Sequence, residues 1–292
     1  MFNTSVINSE ISNDIEQSLK FAQSMGFDAI EIHSAWGKNI ETLDISEMRK
    51  LKQLVKSYNL KVSCISSTLF LRCFLDNHFE LVPEVMGLQT ISGDYNFHLN
   101  ALQQAFMAAE ILEAPIIRVF GFQKENKLTE ETFTMAAEKF RIPVAQAKEA
   151  GITLALENCP HTSFGWGQNA AKLVQLINSP AFRLLWDPAN GVRAGEVDCI
   201  QALSEIIPLL ALVHAKDILQ LTDGDFQYLA VGQGVVPWKV IFHELKRYKY
   251  KGMVSIEAHF VDNDGSKTGA VKESFTTMNK ILSTLSLPGT NS

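Results

Sequence analysis

The sequence has no excess of positive charge. Its 26 Lys and Arg residues face 32 Asp and Glu residues, which gives a formal net charge of −6 at pH 7. Negative charge disfavours non-specific binding to the phosphates of a nucleic acid and to an anionic lipid surface. We therefore expect neither a nucleic-acid partner nor a membrane partner.

Long apolar runs are also missing. No run approaches the length of about 20 residues that spans a bilayer. The first residues, MFNTSVINSEISND, lack a basic segment followed by a long apolar one, so no secretory leader is predicted. These absences predict a cytoplasmic protein.

Cysteine is scarce and irregularly spaced. The four cysteines, Cys64, Cys73, Cys159 and Cys199, form neither a CxxC pair nor the spacing of a zinc ribbon. Free thiols in a reducing compartment are the better interpretation for a chain of this length. The chain also contains neither GxxxxGK[ST] nor GxGxxG, so no nucleotide cofactor is indicated.

What the sequence does have is a regular alternation of short apolar runs with longer helical patterns. Near-continuous apolar runs are typical of strands buried on both faces of a parallel sheet. The runs are Phe2–Ile7, Ala29–Ser34, Lys61–Ser67, Pro115–Gly121, Thr153–Asn158, Phe182–Asp187, Leu210–Asp217 and Met253–His259. The helical patterns are Asp14–Met25, Ile45–Tyr58, Leu99–Leu112, Glu130–Ala150, Ala170–Ile177, Val197–Ile207, Trp238–Tyr248 and Val271–Leu285. Eight such units predict an α/β protein that forms a single (β/α)8 TIM barrel, with residues 1–292 as one domain.

One segment does not fit the alternation. Residues 69–96 follow the third strand and contain three phenylalanines and two glycines without a clear period. In a barrel, this segment lies on the face that carries active sites. We weigh two interpretations equally, a lid over that face and one or two extra helices that only pack against the barrel.

Four residues with chemical capability stand at the ends of consecutive strands. Glu157, Asp187, His214 and Glu257 end the fifth, sixth, seventh and eighth apolar runs. Each is separated from the next by about one βα unit, so the four should lie at similar height around one half of the barrel mouth. Active sites of α/β barrels are built from such strand ends.

A buried group of three carboxylates needs a counter-charge. Burying an ionised carboxylate without a partner is costly, and neighbouring carboxylates repel one another. A divalent cation removes both difficulties. Three carboxylates and one imidazole suit Mn²⁺, Mg²⁺, Co²⁺ or Fe²⁺, and Zn²⁺ is a further possibility. The sequence therefore predicts one divalent metal ion held by these four residues.

The segments LALEN, WDPAN, VHAKD and SIEAH, with VGQG before Pro237 and Trp238, resemble the xylose-isomerase-like barrels of the sugar phosphate isomerase and epimerase superfamily. GFDAIEI and IIRVFG extend the resemblance over the whole chain. It implies that the four strand-end residues bind one metal, commonly Mn²⁺. It also implies that Glu157 and Glu257 form an acid–base pair. The implied reaction is proton abstraction next to the carbonyl of a small sugar, keto-sugar or sugar phosphate, through a metal-stabilised enediolate.

Further candidates for substrate binding lie near the same strand ends. His33 could bind a substrate hydroxyl or be a structural histidine. Arg118, inside the apolar fourth run, could pair with a buried acid such as Glu157 or Glu31, or bind substrate. Lys216 alternates with His214 and could contact an anionic group of the substrate.

Asn190, His259 and Trp36 complete the substrate-binding set. Asn190 could bind a hydroxyl or hold a metal ligand, His259 faces the same way as Glu257, and Trp36 could be an apolar wall for a sugar. Ketose 3-epimerases of free sugars usually carry a histidine after the strand-six aspartate and an arginine after the strand-seven histidine. Asn190 and Lys216 lie in the corresponding segments of this sequence, so a different substrate, or different side chains for the same task, is indicated.

Three other functions have to be distinguished from this one. A lyase, either a dehydratase or a decarboxylase of a sugar acid or polyol-derived ketone, would use the same metal site. A DNA-repair endonuclease of the apurinic-site type needs more histidines and a basic face. A non-catalytic sugar-binding protein has no need for an acid–base pair. A homo-oligomer is possible on the family resemblance.

Overall fold

Eight parallel strands form the centre of the molecule. The computed structural model describes residues 2–76, 89–124 and 127–285. The strands are β1 (Asn3–Val6), β2 (Ala29–Ile32), β3 (Lys61–Ile65), β4 (Ile116–Phe120), β5 (Thr153–Glu157), β6 (Phe182–Trp186), β7 (Leu210–Ala215) and β8 (Met253–Ile256). Their spatial order is β1-β8-β7-β6-β5-β4-β3-β2. All eight predicted strands are present, each slightly shorter than the apolar run that predicted it.

The barrel closes where β1 meets β2. This pair has no continuous ladder, and a single parallel bridge joins Ile7 to Glu31. Lower down, the N–H of Asp28 donates to the carbonyl of Thr4 (3.1 Å), and the Asp28 carboxylate accepts the N–H of Thr4 (2.8 Å). The predicted (β/α)8 TIM barrel is therefore confirmed, with a partly side-chain-mediated seam.

The barrel interior supports the strand ends from beneath. Side chains two residues apart on a strand point to the same face. Ala155, Leu185, Leu212 and Ser255 are buried and lie two residues before the four candidate metal ligands, on the same strands. The first three form a buried cluster with Cys64 of β3. This close-packed layer is a rigid floor for the side chains above it.

Helices surround the barrel. They are α1 (Ile15–Met25), α2 (Ile45–Ser57), α3 (Tyr95–Leu112), α4 (Glu130–Ala150), α5 (Gly167–Ile177), α6 (Pro188–Arg193), α7 (Leu203–Ile206), α8 (Trp238–Arg247) and α9 (Lys267–Thr284). Their ends are specified locally. Asp14 caps α1 by accepting the N–H of Glu16, and Gly26 ends α1 with φ +78°, a conformation that glycine adopts without strain.

The predicted helix Val197–Ile207 is mostly wrong. Only Leu203–Ile206 is α-helical, and a 3-10 turn over Ile207–Leu209 follows it. The reason is local, since the Asp198 carboxylate accepts the N–H groups of Ile200 and Gln201 and holds the chain in a turn. The short helix α6 was not predicted. It starts at Pro188, directly after Asp187, and Pro is favoured at the first position of a helix.

The irregular segment 69–96 is only partly described. Phe70, which lies in it, is fully buried and packs against Phe122 and Phe140. The far end of the segment begins α3 at Tyr95, four residues before the predicted start at Leu99. The question of a lid falls on residues 77–88, which lie outside the described residues. Within the described ranges, no helix combines the length and apolar character needed to cross a membrane.

His98 of α3 makes the stability of the barrel sensitive to acid. Its Nδ1 accepts the N–H of Phe70 (3.1 Å), and burial lowers the pKa of the imidazole to about 4. In the unfolded chain the pKa is near 6.5. As the pH falls from about 6.5 to 4, the unfolded state takes up a proton that the folded state refuses, so the folded state loses stability by about 1.4 kcal/mol per pH unit.

We expect His98→Asn, which keeps an acceptor for Phe70 but cannot titrate, to flatten the pH dependence of the free energy of unfolding between about pH 6.5 and 4. Urea denaturation at a series of pH values measures this. His243→Asn, at an exposed histidine of α8, is the matched control and should leave the wild-type slope unchanged. Identical slopes for wild type and His98→Asn would contradict the assignment.

Candidate metal centre and active site

The four residues singled out at strand ends form one cluster. Glu157 is the last residue of β5, Asp187 and Glu257 directly follow β6 and β8, and His214 is the penultimate residue of β7. One potential ligand atom from each lies within 4.8 Å of those of the other three, and all four residues are buried. The structure thus brings together side chains that are up to 100 residues apart in the sequence.

Asp187 is held by the side chain of Asn158 and by the backbone N–H of Asn190. The Asn158 side chain accepts the N–H of Asp187 and donates to its carbonyl, both at 2.8 Å. One carboxylate oxygen of Asp187 caps α6 by accepting the N–H of Asn190 (2.8 Å). Its other oxygen, Oδ2, is left for the cluster. Burial raises the pKa of Asp187 to about 6, against the opposing charge of Lys216.

His214 is oriented by a carboxylate that the sequence analysis did not assign to the site. Nε2 of His214 lies 3.2 Å from Oε1 of Glu31, and the Ser66 hydroxyl donates to Oε2 of Glu31 at 2.6 Å. Nδ1 of His214 consequently faces the cluster, 3.3 Å from Glu257 and 3.6 Å from Glu157. A carboxylate behind a histidine is the usual support for a metal-binding imidazole. An acid inside the buried run AIEI was the signal in the sequence.

Arg118 lies between the two glutamates. Its Nη1 is 3.2 Å from Glu157 Oε2 and 3.6 Å from Glu257 Oε1. The rest of the guanidinium is fixed by the carbonyls of Ser66 and Ser67, each at 3.0 Å. The pairing with Glu157 is thus observed, whereas substrate binding by Arg118 stays a prediction. The carboxylates of Glu157 and Glu257 therefore converge on the same nitrogen of Arg118.

Lys216 neutralises the other side of the cluster. Its Nζ lies 2.7 Å from Asp187 Oδ2 and 2.6 Å from Glu257 Oε2. Burial acts to lower the pKa of Lys216, but these two carboxylates raise it well above the ordinary value, so the lysine is an ammonium ion. The carboxylate cluster therefore has two fixed cations beside it.

The donor set fits a divalent metal ion. Nδ1 of His214 is buried and makes no hydrogen bond among the described residues, and Oδ2 of Asp187 has only its ion pair with Lys216 there. Buried polar atoms of this kind are normally satisfied. An imidazole nitrogen and three carboxylates are ligands that Mn²⁺, Mg²⁺ and Zn²⁺ accept, so the residues present can hold such an ion.

A cavity of about 640 Å³ opens above the cluster. A volume of this size accommodates a small polar metabolite. Five of the six predicted substrate-binding residues line it, as do both glutamates of the predicted acid–base pair. The lining residues among these predictions are His33, Arg118, Glu157, Asn190, Lys216, Glu257 and His259.

His33 presents an acceptor to this cavity. Its Nδ1 lies 3.0 Å from the carbonyl of Ser66, which can only accept, so Nδ1 carries the proton. Burial lowers the pKa of His33 to about 4, with the nearby charge of Arg118 adding to the effect. The ring is therefore neutral at physiological pH. Its Nε2 is buried and makes no hydrogen bond among the described residues.

Asn190 and His259 line the cavity, and each lies beside one of the two glutamates. The Asn190 amide donates to Glu157 Oε1 and to the carbonyl of Asn158, both at 3.0 Å. His259 Nε2 lies 3.5 Å from Glu257 Oε1. Each glutamate of the predicted pair thus has a polar neighbour at the cavity surface.

Trp36 is placed differently from the other candidates. It is not among the residues that line the cavity, although Gly37 is. Its ring is 38% exposed and lies beneath the ammonium of Lys50, 4.8 Å from the ring centroid. Trp36 as a wall for the substrate stays a prediction.

Comparison with known proteins agrees with the barrel fold. The sequence profile of the xylose isomerase-like TIM barrel family matches residues 19–281. The chain belongs to this family. The resemblance inferred from the strand-end motifs is confirmed.

Three relatives illustrate the family. L-Ribulose-5-phosphate 3-epimerase UlaE of Shigella flexneri serotype 5b is 25% identical over 246 residues, 82% of this chain and 81% of the relative. 2-Epi-5-epi-valiolone 7-phosphate 2-epimerase of an Actinoplanes species is 36% identical over 126 residues, 43% of this chain and 44% of the relative. Among solved structures, the IOLI protein with a bound zinc atom superposes with a TM-score of 0.77 and 17% identity, over 98% of this chain and all of that chain.

Removal of Arg118 should destabilise the fold. We expect Arg118→Met to leave two buried carboxylates facing each other, at a cost of roughly 3–5 kcal/mol in the free energy of unfolding. Denaturant titration in the presence of a chelator measures this. Arg141→Met is the matched control, because Arg141 pairs with Glu138 on the exposed surface of α4 and should change little. Equal effects of the two substitutions would show that Arg118 has no special electrostatic role.

Loss of the carboxylate behind His214 should weaken metal binding. We expect Glu31→Gln to reduce the affinity for Mn²⁺ by about 10–100-fold, because the imidazole loses its orientation and basicity. Calorimetric titration of the metal-free protein measures the affinity. Glu41→Gln is the control, since Glu41 is equally buried but accepts hydrogen bonds from Thr68 rather than from a cluster residue. An affinity unchanged by Glu31→Gln would refute the role of Glu31.

Proposed function

We propose that this protein is a divalent-metal-dependent epimerase or isomerase of a small keto-sugar or sugar phosphate. The observation that carries the proposal is the placement of Glu157 and Glu257. Both line one cavity, and both lie within 3.6 Å of the same Arg118 nitrogen. Two carboxylates that converge on one place can take a proton from one face of a carbon and return it to the other.

The proposed metal ligands are Glu157, Asp187, His214 and Glu257. A bound divalent ion supplies Lewis-acid polarisation of the substrate carbonyl. Mn²⁺ is the proposed ion, with Mg²⁺, Co²⁺, Fe²⁺ and Zn²⁺ as the other candidates to be distinguished by titration. The buried Nδ1 of His214, which makes no hydrogen bond among the described residues, supports this donor set.

Glu157 and Glu257 are the proposed acid–base pair. One takes the proton from the carbon next to the carbonyl, and the other delivers a proton to the opposite face, which inverts that carbon. The Asn190 amide holds Glu157 Oε1 at 3.0 Å, and the Lys216 ammonium holds Glu257 Oε2 at 2.6 Å. These contacts fix the direction of each carboxylate before the substrate arrives.

The remaining lining groups suit a polyhydroxylated substrate. His33 presents a neutral acceptor nitrogen, and Asn190 and His259 present further polar atoms at the cavity surface. Lys216 and Arg118 place two cations beside the carboxylates at the floor of the cavity, where a positive charge stabilises negative charge that develops on a carbonyl oxygen. The two curated relatives named above are epimerases of phosphorylated substrates, which supports a sugar phosphate as the substrate class.

The proton transfer can be tested directly. We expect the metal-loaded wild type to exchange the hydrogen next to the carbonyl of its substrate with D₂O, and Glu157→Gln and Glu257→Gln to slow turnover by about 10²–10⁴-fold each. Proton NMR on a panel of ketoses, ketose phosphates and sugar acids measures the exchange. Glu149→Gln, on the exposed face of α4, is the control.

The outcomes separate the candidate reactions. Exchange with inversion of the carbon supports an epimerase, and transfer to the neighbouring carbon supports an aldose–ketose isomerase. Loss of a hydroxyl or of carbon dioxide would identify a lyase instead. Exchange that persists after removal of all divalent metal, or in both glutamine variants, would refute the proposed chemistry.

A further inference from the structure

Glu10 lines the same cavity, yet the proposed chemistry does not use it. It ends a 3-10 turn over Asn8–Glu10, which is separated from β1 by Ile7. Its carboxylate reaches across to His259, which follows β8 near the other end of the chain. Both residues line the cavity.

The carboxylate of Glu10 holds His259 at two points. Oε2 accepts the backbone N–H of His259 at 2.7 Å, and Oε1 lies 3.1 Å from Nδ1 of its ring. His259 has φ +56°, a left-handed conformation that is uncommon for residues other than glycine. Such a conformation persists when neighbouring contacts determine it, and it is often found at functional sites.

The two contacts determine the tautomer of His259. A carboxylate only accepts hydrogen bonds, so Nδ1 must carry the proton that is directed at Glu10. Burial acts to lower the pKa of His259, but the carboxylates of Glu10 and Glu257 raise it above the ordinary value. At alkaline pH the ring is neutral, and Nε2 is then an acceptor. Tyr228 packs edge-on against the ring, with centroids 5.3 Å apart, and so restricts its rotation.

Nε2 of His259 lies beside Glu257, one of the two proposed acid–base residues. Nε2 is 3.5 Å from Glu257 Oε1, which is too far for a good hydrogen bond. The other oxygen of Glu257, Oε2, is held by Lys216 at 2.6 Å. A substrate hydroxyl at this side of the cavity can therefore contact Nε2 of His259 and Oε1 of Glu257 together.

We propose that Glu10 is a positioning residue that fixes the orientation and tautomer of His259, so that Nε2 binds a substrate hydroxyl beside Glu257. This inference rests on the proposed function for the identity of the substrate, although the contact itself does not. The simpler alternative is that Glu10 only ties β1 to β8 and stabilises the barrel seam. The two differ in what happens when Glu10 is replaced by its neutral isostere.

Glu10→Gln separates them. A glutamine can still accept the N–H of His259 through its oxygen, but its NH₂ group then faces Nδ1 and donates to it. We expect the proton of the neutral ring to move from Nδ1 to Nε2. Nitrogen-15 NMR of histidine-labelled, chelator-treated protein at alkaline pH detects the tautomer, and His259→Asn assigns the signal.

The kinetic expectation follows from the tautomer. With the proton on Nε2, the acceptor for the substrate hydroxyl is lost. At the alkaline pH of the NMR measurement, Glu10→Gln should therefore raise KM for the exchanging substrate by about tenfold or more, as expected for a lost hydrogen bond in a buried site. Glu196→Gln is the matched control. Glu196 is a buried glutamate that accepts the N–H groups of Gly167 and Gln168 and does not line the cavity. It should change neither the tautomer of His259 nor KM.

Each outcome decides the question. A shifted tautomer with raised KM supports the proposal. An unchanged tautomer in Glu10→Gln, or a shifted tautomer with unchanged KM, overturns it. If the wild type exchanges no hydrogen in any substrate, the proposed function and the substrate contact of His259 fall together, whereas the tautomer measurement still reports independently whether Glu10 controls the ring.

Discussion

The burial of three carboxylates at one end of the barrel is the constraint on which the rest of the site depends. Glu157, Asp187 and Glu257 cannot be ionised together in a dry cavity without cations beside them. Arg118 of β4 and Lys216, which directly follows β7, supply two positive charges at 2.6 to 3.6 Å from the carboxylates. Arg118 and Lys216 hold the carboxylates in place. A divalent ion fits the donor set of three carboxylates and one imidazole.

Three further polar residues hold side chains of the site in place. Glu31 sets the direction of the His214 ring, Asn158 holds the backbone of Asp187, and Glu10 holds both the backbone and the ring of His259. Asn158 directly follows β5 and Glu10 follows β1, whereas Glu31 lies within β2 and reaches His214 across the barrel. Buried hydrogen bonds of this kind remove rotational freedom before a ligand binds, which is the basis of preorganisation in catalytic sites. The catalytic proposal therefore depends on more residues than those that touch a substrate.

Much of the fold could be predicted because apolar runs and helical periodicity are both local patterns in the sequence. Apolar runs of strand length and helical periodicity gave all eight strands and most helices, and carboxylates at strand ends predicted the cluster. The prediction of a helix over Val197–Ile207 was wrong because the Asp198 side chain stabilises a turn, which apolar periodicity does not reveal. The role of Glu31 was missed because its partner, His214, is 183 residues away and only the closed barrel makes them neighbours.

The sequence by itself determined the architecture and the gathering of the four strand-end side chains, because strand order in a barrel follows chain order and brings consecutive strand ends to one rim. The tertiary structure alone decided which charges pair. Arg118 could have met Glu31 or Glu157, and it lies against Glu157 and Glu257. Such choices depend on distances of a few ångströms across the barrel, which no pattern along the chain encodes. The same holds for Glu10 and His259, which meet only because β1 and β8 are adjacent in the sheet.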